Sequence, residues 1–410
     1  MKEYITLAQK YPYSRWVYNP MTDFSPDEME LWAECGMTTP LSPKMRYGKN
    51  DPRELIPWLD KAESLGMKLI ANYEDFSYGN VRRDGAEEVE CKMREVYEVL
   101  KGHPALFGFY AGDEPSGKEN LKATVEVFRI HKKVAPELTP YLNFIGDMPA
   151  FNGDMLGGRT LEEWFRYVVE ETGVKLASQD LYCSTINQVG VRNDIDALRK
   201  IVTAAEKSGF DIWANTLCSA HYAYQAPNYF GILWQITVPA ACGCKGNIWF
   251  RFYDRALGHE YHSSPIDEYG NKTDTYYSIL RAQKRFNDQY GELIMTLKRK
   301  STYMLGETVT DVFPKFNKGD HDLVSVSATW DDILVSFFED KDGNEYICAV
   351  NAMKDIHGSF RLSYDKEKCS VYEVLLNGQV ENLIPPGDEY EEGRIPLYQA
   401  QMRMFRIERK

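Results

Sequence analysis

Along the first 300 residues, apolar positions follow two alternating rhythms. Short runs are apolar at most or every second position, and longer stretches repeat at helical spacing. The short runs predict strands at Ser14–Asn19, Met37–Leu41, Lys68–Tyr73, Leu106–Gly112, Pro140–Phe144, Lys175–Leu181, Asp211–Leu217 and Asn247–Tyr253. The longer ones predict helices at Pro26–Glu34, Arg53–Leu65, Glu87–Leu100, Lys118–Val134, Leu161–Glu171, Asp194–Ser208, Tyr229–Ala241 and from Thr273 to about Leu297. Ser25-Pro26 and Asp51-Pro52 each pair an N-cap with a proline suited to the first helical position. Gly36, Gly66 and Gly209 stand where helices close before strands.

Eight strand-then-helix units predict a (β/α)8 barrel, an α/β fold. A doubly wound nucleotide-binding sheet would need a glycine-rich phosphate loop after its first strand, and none follows Asn19. Past Met304 the helical rhythm stops. Ile333–Phe338, Glu345–Val350, Ser359–Leu362 and Ser370–Leu375 read as strands, with hairpin signals at Asp342-Gly343 and Asn377-Gly378. The chain is therefore expected to divide into a barrel at 1–300 and a small C-terminal antiparallel β-sandwich at 301–410.

Composition narrows the partners. The 410 residues are 43% apolar and 27% charged, the balance of a folded globular protein. A net charge of −13 repels phosphate backbones and anionic lipid, so neither nucleic acid nor a membrane is an expected partner. The longest apolar stretch, around Phe230 to Gly243, is interrupted by Gln235 and too short to span a bilayer. Residues 1–20 carry no apolar leader core, which suggests a cytoplasmic protein, or a secreted one whose leader has been removed. Of eight cysteines, six stand alone, and Cys242-Gly243-Cys244 has the wrong spacing for a zinc site. Free thiols are expected, with no metal and no cofactor. Association into a homo-oligomer is left open. The 27 Tyr, 19 Phe and 8 Trp exceed what a core needs, leaving rings for a ligand-facing surface.

In a barrel of this kind, reactive groups stand where the strands end. Five of the eight strand ends carry carboxylates: Glu74-Asp75, Asp113-Glu114, Asp147, Asp180 and Asp254. The sharpest signal closes the fourth strand, Gly112-Asp113-Glu114-Pro115. Adjacent carboxylates repel, so one should hold its proton toward neutrality, as a general acid must. The competing explanation is that the pair merely caps the next helix. Tyr18, Tyr73, Tyr110, Tyr182, Trp213, Trp249 and Tyr253 could offer flat faces to a pyranose, or simply pack between layers. Arg251 and His221 are candidates for recognising hydroxyl or carboxylate groups, Glu74 with Asp75 for binding sugar hydroxyls, and Asn72 for substrate binding. Metalloprotease, phosphate-loop and nucleophile-elbow motifs are absent from the sequence.

Gly112-Asp113-Glu114-Pro115 resembles the Asn-Glu-Pro that ends strand four in the retaining (β/α)8 glycoside hydrolases, and more closely the Asp-Glu-Pro of uncharacterised gut-bacterial barrels similar to them. Asp180-Leu181-Tyr182, Trp234-Gln235 and the stretch from Gly243 to Phe250 extend the resemblance over roughly residues 14–297. It implies a carbohydrate substrate, with Glu114 as acid/base. One departure stands out. The family's nucleophile, a glutamate ending strand seven, has no counterpart in Trp213 to His221. Three readings follow: Asp180 is the second carboxylate; or a 2-acetamido sugar supplies its own nucleophile, as in β-N-acetylhexosaminidases, with Asp113 and Tyr182 steadying the amide; or the barrel binds carbohydrate without cleaving it.

Overall fold

The computed structural model describes residues 10–145, 155–182, 189–254, 260–306, 312–328, 331–382 and 394–410. Asp147 and Cys183 fall outside them. Seven parallel strands, β1 (Tyr13–Arg15), β2 (Leu69–Ala71), β3 (Leu106–Asp113), β4 (Tyr141–Phe144), β5 (Leu176–Asp180), β6 (Asp211–Leu217) and β7 (Gly246–Phe250), form one curled sheet in the order β1-β7-β6-β5-β4-β3-β2. Around it lie α1 (Glu28–Glu34), α2 (Ile56–Ser64), α3 (Tyr78–Asp84), α4 (Ala86–Leu100), α5 (Lys118–Val134), α6 (Leu161–Thr172), α7 (Val189–Ser208), α8 (Tyr229–Ala241) and α9 (Asp274–Phe286). The long last helix expected to reach Leu297 is broken by a π-helical turn at Asn287–Gly291. A helix that was not expected, α3, follows β2.

The eighth wall is irregular. Where a strand was expected at Met37–Leu41, a single ladder position, Leu41 beside Ile70, is formed. Pro40 lacks the N–H that a regular ladder would use. The segment still closes the ring. Thr38 and Thr39 donate to the Tyr13 carbonyl at 3.0 and 2.9 Å, and the Thr38 and Pro40 carbonyls accept from Lys68 and Ile70 at 2.8 and 2.9 Å.

The apolar stretch around Phe230 becomes α8, buried from Gly231 to Ala241. A helix apolar on every side must be covered on every side. The barrel covers one flank of α8 and the C-terminal region the other, where Trp234 Nε1 donates to the Ala352 carbonyl at 2.7 Å and Thr237 Oγ1 to that of Ala400 at 2.8 Å. Its one interior amide is spoken for: Gln235 accepts from the Leu217 N–H at 2.7 Å and donates to the Leu217 carbonyl at 2.8 Å, pinning the end of β6.

Beyond the barrel come β8 (Lys298–Leu305), β9 (Val324–Ser327), β10 (Ile333–Glu339), β11 (Glu345–Asn351), β12 (Gly358–Tyr364), β13 (Cys369–Val374), β14 (Val380–Asn382), β15 (Arg394–Leu397) and β16 (Met402–Arg409). They form two antiparallel sheets, β14-β13-β16-β11-β10-β8 and β15-β12-β9. Val335, Ile347, Phe360, Leu362 and Phe405 belong to one buried cluster that includes strands of both sheets. Among the described residues no helix is long and apolar enough to cross a membrane, and the cysteines are unpaired.

Candidate active site

The site is built by a fault in the register of β3. Its pairing with β4 runs Tyr110–Tyr141, then Gly112–Leu142 and Asp113–Asn143, so Ala111 is an extra residue. Because side chains alternate across a strand, a one-residue bulge decides which face the end of β3 presents. Here it sets Asp113 beside Asn143. Gly112 cannot be another residue: its φ is +136°, and a Cβ there would lie 2.4 Å from the Tyr78 ring. Tyr78 in turn donates to the Asp113 carbonyl at 2.7 Å. Glu114 follows at φ +45°, a left-handed conformation that costs a non-glycine residue about 1 kcal/mol or more and tends to be kept where function needs it. Its N–H donates to the Asn143 carbonyl at 2.8 Å.

Three carboxyl groups meet at this rim. One nitrogen, Asn143 Nδ2, donates to Asp113 Oδ1 at 3.0 Å and to Asp180 Oδ1 at 2.9 Å. The amide is held in that orientation from behind, since Ser178 Oγ donates to Asn143 Oδ1 at 3.1 Å. Asn215 Nδ2 adds a second donor to Asp180 at 2.7 Å, and the Tyr182 hydroxyl a third. The Glu114 carboxyl also hydrogen-bonds Asp180, Glu114 donating its proton and Asp180 accepting. Burial, followed by the charges of Asp180 and Asp113, pushes Glu114 up to about 7. Burial chiefly, with the Asp180 charge assisting, pushes Asp113 up to about 6 against the pull of Asn143 and Lys44. Burial raises Asp180 too, opposed by all its donors. Within the cluster Asp180 is thus the member best supplied for charge and Glu114 the member best placed to keep a proton.

The expected site residues separate into two groups. Glu114, Asp113, Asp180 and Tyr182 come together. Tyr110 packs against Trp16, at 6.0 Å between rings, and burial first, then the Asp113 charge, pushes its hydroxyl well above the ordinary phenol range. Tyr18 packs 6.1 Å from Phe250, with Lys44 Nζ 5.2 Å over its ring. Glu74 is engaged by Lys44 and by Arg46, the latter at 3.2 Å. Asn72 is buried at the end of β2 with its side-chain oxygen unpartnered. His221 is stacked on Tyr261 at 4.8 Å, and the Arg251 guanidinium lies 4.1 Å over the same ring.

Trp213 and Trp249 do not stand at the rim, and the expectation for both is corrected. Trp213 is the third residue of β6 and so lies low in the barrel, 5.5 Å from Phe107. It helps line a cavity of about 430 Å³ at the opposite end, which holds none of the three carboxyls. Trp249 points outward, its Nε1 donating to Gln283 of α9 at 2.9 Å. Tyr253 likewise turns to the helix layer, bonded to Trp32 and Glu28, and Tyr73 is buried against Phe76. Sequence reasoning missed Asn143 and Asn215 as ligands of the carboxylates. Both stand at or near the ends of strands adjacent to one that ends in an acid, which was the available signal. It also missed Tyr78, Tyr224 and Tyr261, which come from loops and a helix outside the strand-end pattern. Among the described residues no cluster of His, Cys, Asp or Glu is spaced to hold a metal ion.

No protein-family model matches the chain, and no curated protein matches its sequence. Its fold does match solved structures. A glycoside hydrolase superimposes with a TM-score of 0.58 over 97% of this chain and 92% of its own, at 10% identity. A glycoside hydrolase family 5 protein from Bacteroides vulgatus gives 0.56 over 97% and 89%, at 9% identity. The β-galactosidase of the psychrophile Marinomonas ef1 gives 0.52 at 10% identity over 70% of this chain, which spans 62% of that enzyme's length. The chain therefore has the barrel-plus-β-sheet fold of glycoside hydrolases, a likeness of architecture at these identities.

Proposed function

We propose that the protein is a glycoside hydrolase that cleaves an oligosaccharide or glycoside, with Glu114 as general acid/base and Asp180 as the second carboxylate. The observation that carries this reading is the proton-sharing contact between Glu114 and Asp180 at the mouth of a barrel, with Glu114 held protonated up to about pH 7. Substrate enters by replacing that contact: the glycosidic oxygen takes the place of Asp180 as acceptor of the Glu114 proton. As the C–O bond breaks, the proton passes to the departing alcohol and positive charge grows on the sugar ring, facing the Asp180 carboxylate. A hydrogen-bonded pair lies nearer the ~5 Å separation of retaining enzymes than the ~6.5–9.5 Å of inverting ones, and retention is the outcome we assign. Asp180 then forms the glycosyl ester, and water, deprotonated by Glu114, releases the sugar with its anomeric configuration kept.

The test is a panel of aryl glycosides that includes 2-acetamido sugars, run on the native protein and Glu114→Gln. Glutamine keeps a donor toward Asp180 but has no proton to give. Turnover should fall ~10²–10⁴-fold with binding retained. Native and variant proteins that bind sugar equally and cleave nothing would leave only a carbohydrate-binding barrel. Strict preference for 2-acetamido sugars would instead transfer the mechanism to Asp113 and Glu114 acting with the substrate's own amide.

A further inference from the structure

After β6 the chain makes a tight turn, His221 and Tyr224 exchanging backbone hydrogen bonds at 3.1 and 2.8 Å. The turn is tied down by the neighbouring loop, where Ala220 and His262 exchange another pair at 2.8 and 3.1 Å. At its tip Tyr222 has φ +47°, where glycine would be the unstrained choice, and its side chain is 76% exposed. A large ring therefore stands in solvent on a strained but anchored backbone, an arrangement that stability alone does not favour.

This ring is also the outer end of a series that starts at the carboxyls. Tyr182, bonded to Asp180, lies 6.1 Å from His221, and His221 lies 5.7 Å from Tyr222. Tyr224 fills in at 5.5 Å from Tyr182, and Tyr261 backs Tyr222 at 6.2 Å. We propose that Tyr222, supported by Tyr261, is a carbohydrate subsite outside the catalytic pocket, so that the substrate is a neutral oligosaccharide with at least one ring beyond those bound at Glu114. The inference rests on the glycosidase reading. A tyrosine face offers apolar surface to sugar C–H groups and a hydroxyl to their oxygens. A chain of net charge −13, with three carboxyls at the inner end of the series, disfavours an acidic sugar.

The variants are Tyr222→Gly, which suits the left-handed backbone, and Tyr222→Phe, which keeps the face. Each is assayed on cello-, xylo-, manno- and galactotriose and on the matching glycosyl fluorides, which carry no second ring. The triose-to-fluoride ratio of kcat/KM should fall about tenfold in Tyr222→Gly and about twofold or less in Tyr222→Phe. Calorimetry in the Glu114→Gln background should show the same loss of triose affinity, and this arm does not require turnover. If native protein cleaves neither trioses nor fluorides, the glycosidase reading fails while the binding arm still judges the subsite. A ratio and an affinity unchanged within twofold, or no triose bound by any form, overturns the subsite.

Discussion

Replacing Asp113 by asparagine removes one charge from the carboxyl cluster with almost no change of shape. Asp113 Oδ1 and Asp180 Oδ1 accept from the two hydrogens of one nitrogen, at 3.0 and 2.9 Å. The spread of an amide's N–H bonds then sets the two oxygens about 5 Å apart. At an effective dielectric near 20, two full charges at that distance repel by ~3 kcal/mol. The rise of Asp113 from its ordinary 3.8 to about 6, caused first by burial and then by the Asp180 charge, corresponds to ~3 kcal/mol, which water at the half-buried rim reduces to about 1–3 kcal/mol. The sign follows from the direction. A carboxyl whose pKa is raised by folding is favourable while protonated, so its contribution is intact below about pH 4 and lost as pH climbs through 6. Asp113→Asn should therefore match the native protein in urea unfolding at pH 4 and exceed it by about 1–3 kcal/mol at pH 8. Glu114, relieved of one neighbouring charge, should titrate below 7 and draw the alkaline limb of the kcat/KM profile to lower pH. A variant less stable than native at pH 8, or a difference independent of pH, would refute this account of the cluster.

Two further substitutions probe what positions the site. Gly112→Ala drives a methyl group to 2.4 Å from the Tyr78 ring at φ +136°, and should cost ~2 kcal/mol or more, seen as a lower Tm and partly recovered by adding Tyr78→Ala. Gln235→Ala leaves the buried Leu217 N–H and carbonyl without partners, and a loss of ~2–4 kcal/mol in chemical unfolding is expected.

The periodicity made the barrel legible because helices such as Lys118–Val134 bury one stripe while Tyr229–Ala241 is apolar throughout, and both were bounded to the residue. Met37–Leu41 was misjudged for a reason that pattern cannot supply: its apolar residues fit a strand, but Pro40 withholds a donor and the segment bonds to β1 and β2 at separate points. The aromatics were the least legible. Trp213 and Trp249 lie in neighbouring strands, yet one faces the barrel interior and the other the helices, and composition does not tell these faces apart. The bulge at Ala111 was equally hidden, although Gly112 marked where the backbone would leave the regular register.

In the proposed mechanism the second carboxylate stands on β5, one strand away from where the retaining barrels that this chain resembles carry theirs. β6 occupies that wall, and the residue it contributes to the cluster is Asn215, register partner of Asp180. Its amide donates to Asp180 from one neighbouring strand while Asn143 donates from the other, so the charge on β5 is flanked on both sides by neutral donors. A glutamate at Asn215 would put a fourth carboxyl against the three already gathered there, whereas an amide lowers the cost of the one that must ionise. An anion on β5, as the proposed mechanism requires, is thus served by amides on β4 and β6 together. Under this arrangement neither asparagine can become an aspartate without raising Asp180 further, and the pair should tolerate glutamine or serine better than any acid.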